Sequence, residues 1–293
     1  MILLAEHGSF LRRPNFDVMM SALSATTEKM ARTAGRSAFG IDAAGYHAGR
    51  IGYPDDLIDA LFARCEKSPD ILEIGAGTGH ATMALLARDP ASLVALEPDV
   101  ALVDYLRETL PDPRFRVVPG AFPETPVDGP FDMIVAASCF HWMEPQAALA
   151  AARALLRPGG IWAMWWNSYR NPGMGDPLAD AISPLIADLP MPPSQSLDRH
   201  YAIDVQRHRQ SLDDAGFVDI RHHIYRRERT IDAGQARALH ASYSFIRLVP
   251  EPQQTALLDE IARLVDREFD GRAPNIVLTA VYSAQSPERA EPN

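Results

Sequence analysis

The segment Ile71-Leu72-Glu73-Ile74-Gly75-Ala76-Gly77-Thr78-Gly79-His80, followed by Val94-Ala95-Leu96-Glu97-Pro98-Asp99, constrains this chain most. It predicts a buried strand, a glycine turn, a helix, and a second strand that ends in an acid. Glycines let backbone approach a ligand with no Cβ in the way, the helix start offers N–H groups, and an acid about 20 residues on can accept from a ribose. The ligand so described is a nucleoside. A dinucleotide fingerprint would put its third glycine at position 80, where His80 stands; here the glycines alternate at 75, 77 and 79. Glu73 adds a carboxylate inside the first strand, which repels a pyrophosphate and attracts a ligand with a cationic end.

The pattern Glu-x-Gly-x-Gly-x-Gly resembles motif I of the class I S-adenosylmethionine (SAM)-dependent methyltransferases. Asp132-Met133-Ile134-Val135-Ala136-Ala137 is similar to that family's fourth strand. Phe140-His141-Trp142 follows it, and Leu155-Leu156-Arg157-Pro158-Gly159-Gly160-Ile161 resembles the next helix, turn and strand. The resemblance covers roughly residues 36–166 in the expected order. Phe140-His141-Trp142 and the upstream Tyr46 and Tyr53-Pro54 most resemble the small-molecule branch that includes the trans-aconitate type. It implies a Rossmann-like α/β fold: a doubly wound, mostly parallel seven-stranded sheet with a helical cap built from an N-terminal segment and insertions.

Composition narrows the function. With 293 residues, 47% of them hydrophobic, the chain can bury a sizeable core. No run approaches the roughly 18 apolar residues that span a bilayer, and the N-terminus lacks a signal layout, so a cytoplasmic protein is expected. A formal net charge of -10 argues against a nucleic-acid substrate. Arginines and histidines alternate from Arg221 to Arg229, which reads as the solvated edge of a strand. Cys65 and Cys139 are far apart, and no histidine or cysteine spacing matches a metal site, so no metal is expected.

Strands are predicted at about 71–75, 93–97, 115–118, 132–137 and 160–166, with helices at 79–88, 99–109 and 145–156 between them. This alternation specifies a parallel sheet. Residues 1–35 form a variable extension, 36–283 the catalytic domain, and 284–293 a frayed tail. Cap segments are expected at about 36–56, 168–203 and 230–270.

The resemblance implies SAM as cofactor and S-adenosyl-L-homocysteine as product. Glu73, Gly75, Ala76, Gly77 and Gly79 would hold its amino-acid end, Glu97 its ribose, with Pro98 beside it. Ala121 and Phe122 fall on the adenine side, where relatives often carry an acid, and Ser138 and Trp142 complete the set. His141 is the candidate general base. Tyr46, His47, Tyr53, Trp165, Trp166 and Tyr243 are candidates for the substrate pocket. The reaction implied is direct displacement by a small-molecule O, N or C acceptor, in a monomer or homodimer. A SAM- or S-adenosylhomocysteine-binding protein without methyl transfer is the alternative.

Overall fold

The computed structural model describes residues 45, 47, 49–65, 67–171, 173–189 and 201–288. The described residues all belong to the unit of residues 39–293; residues 1–38 lie outside them. So do Tyr46 and residues 190–200 of the second cap segment.

This unit is built on one seven-stranded sheet in the order β3-β2-β1-β4-β5-β7-β6. The strands are β1 (Asp70–Ile74), β2 (Ser92–Glu97), β3 (Phe115–Pro119), β4 (Phe131–Ala137), β5 (Leu156–Ser168), β6 (Val218–Asp232) and β7 (Arg272–Gln285). The first five pair in parallel, and β7 runs antiparallel to both β5 and β6. β1 and β4 are apolar runs because both faces are covered, as parallel strands require. The strand order reverses beside β1, which places a ligand crevice at the carboxyl ends of β1, β2 and β4.

Helices α1 (Asp55–Phe62), α2 (His80–Leu86), α3 (Val100–Thr109) and α4 (Pro145–Leu155) flank these strands. Asp99 caps α3 by accepting from Ala101 N–H, and Glu144 caps α4 by accepting from Gln146 and Ala147 N–H. Both faces carry a buried cluster: Leu72, Ile74, Phe140 and Trp162 on one, Ile71, Val135, Ala163 and Trp165 on the other.

A third cluster, with Tyr169, Ile231, Leu239, Tyr243 and Ile261, forms the cap core. It gathers α5 (Pro177–Ile182), α7 (Ala233–Ala241), α8 (Ser244–Arg247) and α9 (Gln253–Glu268); α6 (Val205–Asp214) packs on the sheet through Leu212. The last β5–β7 pair is Ser168 with Leu278, so residues 272–277 of β7 pair with β6 alone. This two-stranded ribbon continues past the end of β5 and leads directly into α7. The sheet also outlasts its expected end: Ala284 and Gln285 pair with Trp162 and Ile161, and Ser286 N–H donates to Gly160 O at 2.8 Å. The tail therefore begins later than residue 284, because those backbone groups complete the β5–β7 ladder.

Candidate functional site

The glycine turn leaves β1 through three residues with left-handed φ, Gly75 (+67°), Gly77 (+58°) and Gly79 (+86°). A Cβ on Gly75 would lie 2.8 Å from the Cys139 Cβ, and one on Gly79 would lie 2.9 Å from Leu106. A Cβ on Gly77 would meet nothing within 4 Å. Two of the glycines are thus required by packing, while the middle one faces open space. Ala76 between them is buried.

Glu97 ends β2 with its carboxylate turned to this loop. Its Oε2 accepts from Gly77 N–H at 2.8 Å and its Oε1 from Asp99 N–H at 3.0 Å. Bonds to a charged acceptor are the strong ones, so this side chain holds loop and strand end together. Glu73 is fully buried; its Oε2 accepts from the Thr82 hydroxyl at 2.7 Å, and its Oε1 has no partner. Burial pushes the Glu73 carboxyl up to about 8, with Glu97 adding to the rise. Glu73 is therefore protonated at neutral pH, rather than the standing negative charge expected from its position in the motif. Thr78, absent from the sequence-derived set, buries an unpartnered hydroxyl in the same loop.

β4 leaves the sheet at Ser138, whose φ of +56° is unusual for a residue with a side chain. Its N–H donates to Trp165 O at 2.7 Å, and its hydroxyl meets the Tyr53 hydroxyl at 3.1 Å. Cys139 donates its thiol to Ile74 O, tying this exit to the glycine loop. A single 3-10 turn, Phe140–Trp142, then presents His141.

Trp166 Nε1 donates to His141 Nδ1 at 3.1 Å, and the imidazole lies against the rings of Trp142 (4.6 Å) and Tyr201 (6.0 Å). An accepting ring nitrogen carries no proton, so the neutral ring is protonated on Nε2. This arrangement makes His141 a hydrogen-bond donor at Nε2. The general-base role expected from sequence would need the opposite tautomer. His208 stacks on the other side of this group, 5.0 Å from Trp166, with Nε2 2.7 Å from Tyr201 O; burial lowers it to about 4, so it is neutral.

Residues 47 and 49–53 form a strap across the carboxyl edge. The His47 and His80 rings stack at 4.0 Å, with His80 Nε2 3.2 Å from His47 O. Burial lowers His80 to about 4, so the pair is not repelled by a charge on it at neutral pH. Asn167 Nδ2 donates to Ile51 O and Gly52 O, and Tyr53 sits edge-on to Trp165 at 5.6 Å.

Other expected positions are placed differently. Phe122 is buried within the sheet core rather than exposed as a stacking surface, and half-buried Ala121 precedes it; Pro98 is exposed at the rim. Trp165 is fully buried in the core face beneath Tyr53, so it does not line a pocket; Trp166, on the opposite face, acts on His141. Tyr243 belongs to the cap core. Asn167 and Tyr169 carry no sequence signal of their own, although both closely follow the Trp165-Trp166 pair. Only their contacts to the strap give them a role.

Residues 71–160 match the family described as a methyltransferase domain. Those residues carry a SAM-dependent methyltransferase domain. Among relatives of this methyltransferase is an uncharacterized methyltransferase-like protein of Schizosaccharomyces pombe, 27% identical, covering 78% of this chain and 87% of the relative. An uncharacterized methyltransferase of Mycobacterium tuberculosis is 34% identical over 44% of this chain and 52% of its own. A candidate type II methyltransferase from Anaeromyxobacter dehalogenans shares the fold with TM-score 0.61 at 18% identity, covering 82% of this chain and 99% of that one.

SAM is the cofactor of this enzyme, and the site fits it. The Gly77 face is a cradle that a Cβ would fill, and the unpartnered Glu73 Oε1 and Thr78 hydroxyl lie buried around the same turn. Among the described residues, no group of three potential ligands could hold a metal ion, and no helix is long and apolar enough to cross a membrane.

Proposed function

We propose that this methyltransferase modifies a small-molecule acceptor at an oxygen, nitrogen or carbon, and that the strap of residues 47 and 49–53 covers the acceptor side of its site. The observation that carries this reading is the strap itself. It is held at His80, Ser138 and Asn167, which are the exits of the glycine loop, β4 and β5. A strap bound across three strand exits suits an acceptor enclosed on all sides. The net charge of -10 supports the same reading over a nucleic-acid substrate.

When bound, SAM supplies a sulfonium methyl for direct displacement, leaving S-adenosylhomocysteine. Glu97 accepts the ribose hydroxyls in this reading, and the Gly75, Ala76, Gly77 and Gly79 backbone lies along the amino-acid end. An ammonium group near Glu73 would favour its ionised form and draw the proton off the carboxyl. His141 orients the acceptor by donating from Nε2 to its oxygen or nitrogen. Trp166 keeps that tautomer in place. Alignment is the protein's main contribution, and orientation alone is worth about 7–11 kcal/mol.

Phe140-His141-Trp142 supports a place near the trans-aconitate-type branch, and the two free thiols, Cys65 and Cys139, suit the cytoplasm. Isothermal titration with S-adenosylhomocysteine, with NAD as control, tests the cofactor half. Micromolar binding of the first and none of the second is expected; the reverse would overturn it. A mass-spectrometric screen of small acceptors for a gain of one methyl tests the rest, and methylation of nucleic acid alone would refute the small-molecule reading.

A further inference from the structure

Three consecutive residues at the end of β5 reach in three directions. The Trp165 carbonyl accepts from Ser138 N–H at 2.7 Å, and the Trp166 indole donates to His141 at 3.1 Å. Both hold the segment that leaves β4. Alternation along a strand turns Asn167 to the face opposite Trp166, towards the strap. There its amide is used from both ends. Nδ2 donates to Ile51 O at 3.1 Å, to Gly52 O at 3.3 Å and to the Tyr169 hydroxyl at 3.1 Å. Oδ1 accepts from the Thr279 hydroxyl at 2.6 Å and from Arg227 at 3.3 Å. A side-chain amide combines donors and an acceptor in one planar group, and here the strap supplies the carbonyls while β6 and β7 supply the donors.

The same two strap residues are gripped from other directions. The Tyr169 hydroxyl accepts from Ile51 N–H at 3.2 Å and donates to Ile51 O at 3.1 Å. Arg227 donates to Gly52 O at 2.8 Å from the inward face of β6, while Arg226 beside it points outward next to Glu228. Residues 51 and 52 are therefore tied to β5 and β6, with Thr279 of β7 bracing the amide. Tyr53 is the next residue. Its hydroxyl meets the Ser138 hydroxyl at 3.1 Å, and its ring sits edge-on to Trp165 at 5.6 Å.

Ser138 is where such support matters. It holds φ at +56°, a conformation that a residue with a side chain keeps only where its surroundings impose it. Its N–H is fixed by Trp165 and its hydroxyl is met by Tyr53. His141 follows three residues later, on the turn that Ser138 begins. β5 thus acts on this turn from both faces, directly through Trp165 and Trp166 and indirectly through Asn167 and the strap.

We propose that Asn167 is a positioning residue for methyl transfer. It clamps the strap at Ile51 and Gly52, which sets the Tyr53 hydroxyl against Ser138 and so fixes the turn that presents His141. This rests on the small-molecule reading above, in which His141 orients the acceptor. A displacement of about 1 Å that originates away from the chemistry can lower a rate by a large factor.

Hydrogen–deuterium exchange of the full chain, read on peptides covering residues 49–53 and 137–142, tests the linkage without an acceptor. Asn167→Asp keeps the shape of the side chain, gives Arg227 a carboxylate, and turns an oxygen towards the two strap carbonyls, so the clamp is lost while the fold is kept. Both peptides should exchange about tenfold faster in this variant, with the rest of the sheet and the melting temperature close to wild type. Tyr53→Phe should speed only the 137–142 peptide. The double variant should not exceed Asn167→Asp there, because the two residues act in series. With an acceptor from the mass-spectrometric screen, Asn167→Asp should lower kcat about tenfold and leave S-adenosylhomocysteine affinity nearly unchanged. Faster exchange of 49–53 with 137–142 unmoved, an even rise across the whole sheet, or an unchanged kcat would each overturn the proposal. A failure of the small-molecule reading shows separately, as methylation of nucleic acid alone with the exchange pattern intact.

Discussion

The two sides of the carboxyl edge have opposite electrostatics. Around the glycine loop stand two acids, Glu73 and Glu97, with hydrogen bonds running inward to Thr82, Gly77 and Asp99. On the cap side stand Arg170, near Tyr243, and Arg227 and Arg229, which donate to neutral oxygens of Gly52, Asn167 and Asn275. An overall charge of -10 would lead one to expect an acidic surface throughout. Net charge describes the far field, whereas a site is set by what lies within about a Debye length.

If the two sides work separately, damage to one should spare the other. Glu97→Ala removes the carboxylate that holds Gly77 and Asp99 as well as its proposed bond to ribose. S-adenosylhomocysteine affinity should fall about 100-fold or more by titration, with amide exchange of residues 49–53 unchanged. Faster exchange there as well would show that the strap couples the two sides.

His141 follows β4 and lies against Trp166. With an identified acceptor, His141→Ala should lower kcat about 100-fold while leaving cofactor affinity intact. Trp166→Phe removes only the bond to Nδ1. We expect about a tenfold loss in kcat, little change in acceptor KM, and a shifted pH–rate profile, because the ring can then change tautomer. A purely structural Trp166 would change stability without altering that profile.

The glycines allow a smaller, sharper test. Gly77→Ala costs about 1–2 kcal/mol of backbone strain, and its Cβ enters open space. It should weaken S-adenosylhomocysteine binding about tenfold and lower the melting temperature only slightly. Gly75→Ala drives its Cβ against Cys139 and should lower the melting temperature more.

Glu73 gives an effect visible as a pH dependence of stability. Its carboxyl titrates near 8 when folded and about 4.3 when unfolded. The folded chain holds the extra proton between these values, so its contribution to stability is full below about 4.3 and is lost as pH rises toward 8. Glu73→Gln stays neutral throughout. Its melting temperature relative to wild type should rise across that window, by about 2–4 °C for each kcal/mol, and a flat difference would show that Glu73 is ionised in the free protein.

Much of the cofactor side was legible in the chain because its elements are local. Strand, turn and helix occupy consecutive residues, and period-two and 3.6-residue patterns report them directly. The sequence misled where one residue type serves two environments. Trp165 and Trp166 look alike in the chain, yet alternation on β5 sends one into the core and the other to His141. Arg226 and Arg227 differ in the same way on β6.

What the sequence determined alone is the α/β alternation, the glycine turn with its two acids, and thereby the class of cofactor, since each is encoded in patterns local to the chain. What only the tertiary structure decided is the protonation of Glu73, the tautomer of His141 and the meeting of Asn167, Arg227 and Thr279 at the strap. Each depends on burial and on partners brought from distant parts of the chain, and the long β6–β7 ribbon that carries the cap sets those distances.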